Sequence, residues 1–192
     1  ENDVPEWYIG SCKKIKYMFP RAHAVAYVMM SYRIAYFKVY HPAEFYAVYF
    51  TTKVADFNDK VILQGSLAVQ EKMEEIINKG NNASKKEEAE MIVYEVAYEM
   101  YARGYEFLPA RLGESDGTKF GVRDGKVQLP FLAVSGVGET AARAMAEEYK
   151  VRPYETVDEV RERAKVNKTA IDELRAHGVF QGLPETDQLS FF

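Results

Sequence analysis

The sequence predicts a mainly α fold with a small β-hairpin, an α+β chain of 192 residues. Three observations point there. Apolar side chains recur at helical spacing through residues 22–40. Paired start and stop signals bracket a second long helix, with Ser84 and Glu87 at its head and Gly104 just past its end. Asp124-Gly125 sits between two short β-prone runs, the pattern of a type I′ turn.

The elements follow in order. In residues 22–40, Val25, Val28, Met29, Tyr32, Ala35, Tyr36 and Val39 make one stripe, and Tyr27, Ser31, Ile34 and Lys38 a second face. A helix apolar nearly all round is expected to be central and covered by other elements. It is not a membrane span, because Arg33 and Lys38 fall inside the run and His23 near its start. His41-Pro42 breaks it, and a shorter helix resumes over 43–50. A third helix is expected over 60–79, stopped by Gly80, with 81–83 as a loop. The capped helix from Ser84 runs to Arg103. Short strands follow at 105–108, 118–123 and 126–129, the last two flanking Asp124-Gly125. Pro130 opens a final helical section, in which Thr156 with Glu159 reads as a capping box and Gly178 stops the last helix. This section reads as two related helix–hairpin–helix units, a weak internal repeat.

Composition narrows the class. An apolar fraction of 47% is enough for a buried core. The single cysteine, Cys12, excludes an internal disulfide and fits a reducing cytoplasm. The chain starts Glu1-Asn2-Asp3-Val4-Pro5 without Met and is read as a piece of a longer protein. The net charge of −4 conceals a basic stretch: residues 10–55 carry Lys13, Lys14, Lys16, Arg21, Arg33, Lys38 and Lys53 against the single acid Glu44. Either this is a local anion site or a solvated basic face.

Two constellations carry chemistry. Ser135-Gly136-Val137-Gly138, followed by Glu139-Thr140-Ala141-Ala142, places two glycines around one apolar residue before a helix start. The glycines permit a tight hairpin with positive φ and leave no side chain between the backbone and an anion. The N–H groups of the new helix's first turn, with Thr140, can then hold a phosphate, while Val137 points inward. This is the helix-hairpin-helix pattern, which grips a DNA backbone without reading its sequence; the alternative is a plain interhelical turn. Lys165, Asn167, Lys168 and Thr169, with Arg163 nearby, form a second polar hairpin without the glycines. They supply a second phosphate contact, or cap a turn. The other constellation is Lys14, Lys16, Arg21, His23 and Tyr27 at the head of the apolar helix. The cations and the helix dipole can converge on a polyphosphate, with Tyr27 one turn from His23 as a stacking platform. Otherwise His23 caps the helix and the lysines lie in solvent.

No nucleophile–base set and no zinc-ligand spacing is present. The acids form surface runs such as Glu74-Glu75, so no two-metal site is expected and the segment is not expected to catalyse phosphoryl transfer by itself. After the polar stretch 182–187 the chain ends Gln188-Leu189-Ser190-Phe191-Phe192. Such a plug either docks in a partner's pocket, with Gln188 fixing the register, or folds back on its own core.

These residues together resemble one family. Residues 17–30, Tyr-Met-Phe-Pro-Arg-Ala-His-Ala-Val-Ala-Tyr-Val-Met-Met, with Arg33-Ile34-Ala35-Tyr36-Phe37-Lys38-Val39 and His41-Pro42, closely resemble the fingers of PolC-type DNA polymerase III, the replicative polymerase of low-GC Gram-positive bacteria. The order of fingers, small strands, tandem helix-hairpin-helix and clamp peptide matches over the whole chain. The resemblance implies a fingers region over 1–128, a duplex-binding tandem helix-hairpin-helix over 129–180, and a mobile tail over 181–192. It implies that Lys14, Lys16, Arg21, His23 and Tyr27 lie near an incoming dNTP. Ser135, Gly136, Val137, Gly138, Thr140, Lys165, Asn167, Lys168 and Thr169 would track duplex primer-template DNA, and Gln188 to Phe192 would enter the β sliding clamp. Magnesium and the catalytic carboxylates would belong to the family's palm, upstream with its exonuclease and PHP domain, so this segment would bind no metal itself. The tail departs from the family at Phe191, where leucine is common, and a second proline is absent around Leu129-Pro130-Phe131. Two rival readings remain: a non-enzymatic helix-hairpin-helix module of repair or recombination, and an interaction protein that binds neither DNA nor nucleotide.

Overall fold

His41-Pro42 divides the chain. In a computed structural model, which describes residues 3–16 and 20–186, contacts cluster into two units, Glu1–His41 and Pro42–Phe192. The proline can start a helix, because its missing N–H is unneeded at the first position. It cannot continue the preceding one. The Phe37 carbonyl accepts the His41 N–H at 2.7 Å, and α2 closes there.

The first unit holds α1 (Glu6–Lys14) and α2 (Arg21–Tyr40), neither with a buried residue. The sequence predicts α2 as a covered central helix; instead its apolar side chains lie exposed. Apolarity all round shows that a helix requires cover, and does not show which chain provides it. Its rings pack along the helix itself, with Tyr36 and Tyr40 centroids 4.6 Å apart.

The second unit begins with α3 (Pro42–Thr52), whose buried face is Ala43, Tyr46, Ala47 and Phe50. The single helix expected over 60–79 is two: α4 (Asp59–Ile62) and α5 (Ser66–Lys79). Gly65 separates them at φ +100, a conformation that L side chains rarely adopt. The capping box at Ser84 is complete and starts α6 (Lys85–Ala102). Gly104 follows at φ +81.

Three short strands make one sheet in the order β1-β3-β2: β1 (Phe107–Leu108), β2 (Gly121–Arg123) and β3 (Lys126–Gln128). Val127 faces Val122 across the antiparallel pair and Phe107 across the parallel one. Asp124 and Gly125 have φ +51 and +73, both positive as a type I′ turn requires. Under the sheet, Phe50, Phe57, Phe107 and Phe120 form a cluster, with the Phe57 and Phe120 rings 5.0 Å apart. Each such pair contributes roughly 0.5–1.5 kcal/mol beyond its burial.

The last section packs α7 (Glu139–Val151), α8 (Val157–Arg163) and α9 (Lys168–Ala176) against this core. Gly117 sets how closely α7 approaches. A Cβ there would lie 2.8 Å from the Ala142 carbonyl oxygen and from Arg143 Cα, so only glycine fits. Thr156 caps α8 by accepting the Glu159 N–H at 3.1 Å, but Glu159 accepts from the Glu155 N–H. The predicted box is therefore closed one residue further out.

Candidate functional site

The Ser135-Gly136-Val137-Gly138 hairpin is built from its buried residues outward. A 3-10 turn over Phe131–Ala133 leads into it. Phe131 and Val134 are buried, and Val137 is 7% exposed, so two anchors bracket the turn. The Val134 carbonyl accepts the Val137 N–H at 3.2 Å. Gly136, at φ +83, reverses the chain where a Cβ would be strained. Gly138 then N-caps α7 with no side chain to offer. The first-turn N–H groups of α7 are thus left for an outside acceptor, and they carry the positive end of the helix dipole. Glu139 in that turn is offset by Arg143, whose Nη2 lies 2.7 Å from its carboxylate. Thr140 is exposed beside it.

The second hairpin has the same backbone plan. Lys165 takes the place of Gly136, at φ +53. Val166, 2% exposed, takes that of Val137. Asn167 caps α9 with φ −73 and ψ 163, against −79 and 155 for Gly138. The repeat seen faintly in the sequence is therefore geometric. The chemistry differs: the Asn167 side chain accepts the Ala170 N–H at 2.9 Å, so this helix start is already capped. Lys165, Lys168 and Thr169 are exposed around it and present side chains instead of backbone.

Arg163 does not join that face. Its Nη2 donates to the Glu148 and Arg152 carbonyls at 2.7 and 2.9 Å, and its guanidinium lies 4.5 Å over the Tyr154 ring. It closes the C-terminal end of α7. Beside Arg163, Tyr154 is pushed up to about 12, chiefly by burial.

One residue central to the arrangement carries no signal in the sequence. Asp59, at the start of α4, is fully buried. It accepts the Ser135 N–H at 2.9 Å and the Ser135 hydroxyl, and its other partner is His177 Nε2 at 2.8 Å. Burial would raise its carboxyl, but the bonds from His177 and from the Ser135 hydroxyl and N–H outweigh this and hold it below the usual carboxylate range. Ser135 therefore directs both donors to Asp59. Next to it, Lys60 pairs with Glu173 of α9 at 2.7 Å. Asp59 and Ser135 lie 76 residues apart, so no local pattern could reveal the pair. A cleft of about 680 Å³ opens beside the hairpin, with Lys60, Lys86, Ser135, Gly136 and Glu139 in its wall.

The other predicted cluster lies in the first unit. The structure brings His23 and Tyr27 together, ring centroids 4.5 Å apart on one face of α2. Arg21 is the first residue of that helix, which has Pro20 as its cap and no acid in its first turn. Lys14 ends α1, and Lys16 is exposed just beyond it; residues 17–19, which lead to Arg21, lie outside the described residues. So do Gln188, Leu189, Ser190, Phe191 and Phe192. Among the described residues, no group of three or more His, Cys, Asp or Glu could hold a metal ion, and no helix is long and apolar enough to cross a membrane.

Comparison with known proteins gives this geometry a context. Residues 104–189 match the family model of the helix-hairpin-helix motif. The whole chain is 46% identical over 192 residues to a DNA polymerase III PolC-type of Clostridium perfringens. It is 44% identical over 191 residues to that of Bacillus subtilis, and 42% over 190 residues, 98% of the chain, to that of Thermotoga maritima. The chain spans 13–14% of the length of these relatives.

Proposed function

We propose that this chain, which belongs with the PolC-type DNA polymerases III and matches a segment of them from end to end, holds duplex DNA for a replicative DNA-directed DNA polymerase. The observation that carries this is the Gly136-Val137-Gly138 hairpin. Its reversal is glycine-built, its following helix start has no side-chain cap, and a second hairpin repeats its backbone plan. An uncapped helix start behind a glycine turn suits a phosphate oxygen, and a second turn of the same backbone path, lined by lysines, suits the repeating backbone of a duplex.

The remaining roles rest on the same family reading. Residues 1–128 act as fingers, in which Arg21, Lys14, Lys16 and His23 meet the triphosphate of an incoming dNTP and Tyr27 stacks near the nascent pair. Cations fixed there contribute by orientation and by stabilising charge in the transition state. Residues 129–180 grip the duplex, and 181–192 carry the clamp-binding peptide. The reaction is template-directed nucleotidyl transfer in the cytoplasm, with magnesium and its carboxylate ligands supplied from outside this segment, which is inactive alone.

The test is duplex binding by this chain over a series of salt concentrations. We expect sequence-independent binding whose log K falls with log[salt] by about 0.9 per phosphate engaged. Absence of any salt-dependent binding would sink the duplex role. Two companion measurements address the other roles. In a full-length polymerase, Arg21→Ala should slow nucleotide incorporation by tenfold or more, a loss of about 1.4 kcal/mol, and normal kinetics would remove the triphosphate assignment. Removal of Gln188 to Phe192 should abolish binding to a bacterial sliding clamp; equal binding by both forms would assign the tail elsewhere.

A further inference from the structure

The duplex-binding hairpin is held by a residue that lies outside it. Asp59 belongs to the stretch before residue 128, yet its carboxylate takes the N–H and hydroxyl of Ser135, the first residue of the hairpin, and pairs with His177 beyond the end of α9. It is fully buried. A buried carboxylate without partners is strongly disfavoured, so it persists only where its acceptor capacity is used. Here each oxygen is engaged: Oδ1 by the hydroxyl, and Oδ2 by the backbone N–H and the imidazole. The Ser135 N–H immediately precedes the peptide of Gly136, whose positive φ turns the chain toward α7. Fixing that N–H fixes the plane from which the turn begins. Lys60, the next residue along, pairs with Glu173, and a Cβ on Gly136 would lie 3.8 Å from the Glu173 side chain. The dipeptide Asp59-Lys60 therefore ties the first hairpin to the helix that follows the second.

Resting on the duplex-binding reading above, we propose that Asp59 is a positioning residue for the DNA grip: it sets the Gly136–Gly138 turn against the end of α9, so that both hairpins meet one duplex in a fixed relation. Asp59 does not touch DNA. Its effect reaches the phosphates only through Ser135 and His177. A residue that served stability alone would change how much protein is folded, not how many phosphates the folded protein engages.

The salt dependence of binding separates these. The chain, wild type and Asp59→Asn, is titrated with a short fluorescent duplex across a potassium chloride series, with the folded fraction followed by circular dichroism. The amide can keep the partners, its oxygen accepting and its NH2 donating to the Ser135 hydroxyl, but it removes the charge, so the charge-assisted bonds to Ser135 and His177 weaken with little change of volume. We expect folded Asp59→Asn to bind about tenfold more weakly, with a salt slope lower by about 0.9, one phosphate fewer. A slope equal to wild type in folded Asp59→Asn overturns the proposal. Should that variant not fold, His177→Ala and His177→Gln decide. Glutamine keeps a donor toward Asp59 and should restore the wild-type slope, whereas alanine should lower it. Equal slopes in the two overturn the proposal. If wild-type chain shows no duplex binding, the reading on which this rests fails first, and that result is distinct from the others.

Discussion

The two hairpins share a backbone and differ in what they offer. In the first, glycine occupies the left-handed position and the cap, so the exposed surface is peptide. In the second, Lys165 and Asn167 occupy those places, and the exposed surface is side chain. The buried valine is common to both. A hairpin's path is set by its inward residue and its sign of φ, whereas its reactivity toward an anion is set by whether the helix start is already capped. One fold element, used twice, presents one surface of amides and one of cations.

Substitutions at the paired positions separate path from reactivity. The largest effect is expected from Gly136→Val, which places a β-branched residue at φ +83. It should destabilise by about 2 kcal/mol or more and weaken duplex binding about a hundredfold; thermal melts and anisotropy titrations read the two. Next, Val137→Ala and Val166→Ala should each destabilise by roughly 1.5–2.5 kcal/mol. Urea melts giving markedly unequal losses would show that the two hairpins do not share one anchoring scheme. Smaller still are the cap exchanges. Asn167→Ala should lower stability by about 1 kcal/mol. Gly138→Asn should raise it by a few tenths of a kcal/mol while weakening duplex binding, because the new side chain occupies the N–H groups that a phosphate would use. Gain of stability without loss of affinity in Gly138→Asn would end the claim that amides make the first site. Last comes the acid limb of the Asp59 contribution. Its folded carboxyl titrates below the unfolded one, so the contribution is complete above the unfolded value, about 3.9, and is lost as pH falls through the folded value. Acid melts of wild type and Asp59→Asn should therefore converge below that pH and diverge above it.

Local chemistry was legible in the sequence wherever it was self-contained. Asp124-Gly125, Ser84 with Glu87, Gly104 and Gly178 each announce a turn, a cap or a stop through residues within one turn of one another, and the structure has each of them. The Gly136-Val137-Gly138 hairpin is of the same kind, since its inward valine and reversing glycine are adjacent. Gly65 lies inside the helix expected over 60–79; an isolated glycine is tolerated in helices, so only its φ of +100 shows that the chain turns there. The pattern of α2, apolar all round, predicts cover, but a pattern on one helix carries no information about its neighbour. Asp59 was invisible for a stronger reason. Its partners are contributed by the fold and not by the sequence nearby, and an aspartate ahead of a short helix reads as an ordinary first-turn acid. In the sequence Arg163 stands beside Lys165 and Lys168, yet its place against Tyr154 and the end of α7 is a tertiary fact.

Arg163 has a consequence for α7 as a source of electric field. A helix presents partial charges of opposite sign at its ends, and at a distance their fields largely cancel. In α7 the far end is plugged by a guanidinium that stacks on Tyr154 and also pairs with Glu148 and Glu159, so its charge is shared between the last carbonyls and two carboxylates. The near end, behind Gly138, is left bare. The field that meets an approaching anion is then that of the first turn, felt within about one turn of the open N–H groups, and Arg163 serves it from three turns away by holding the far end of the helix against fraying.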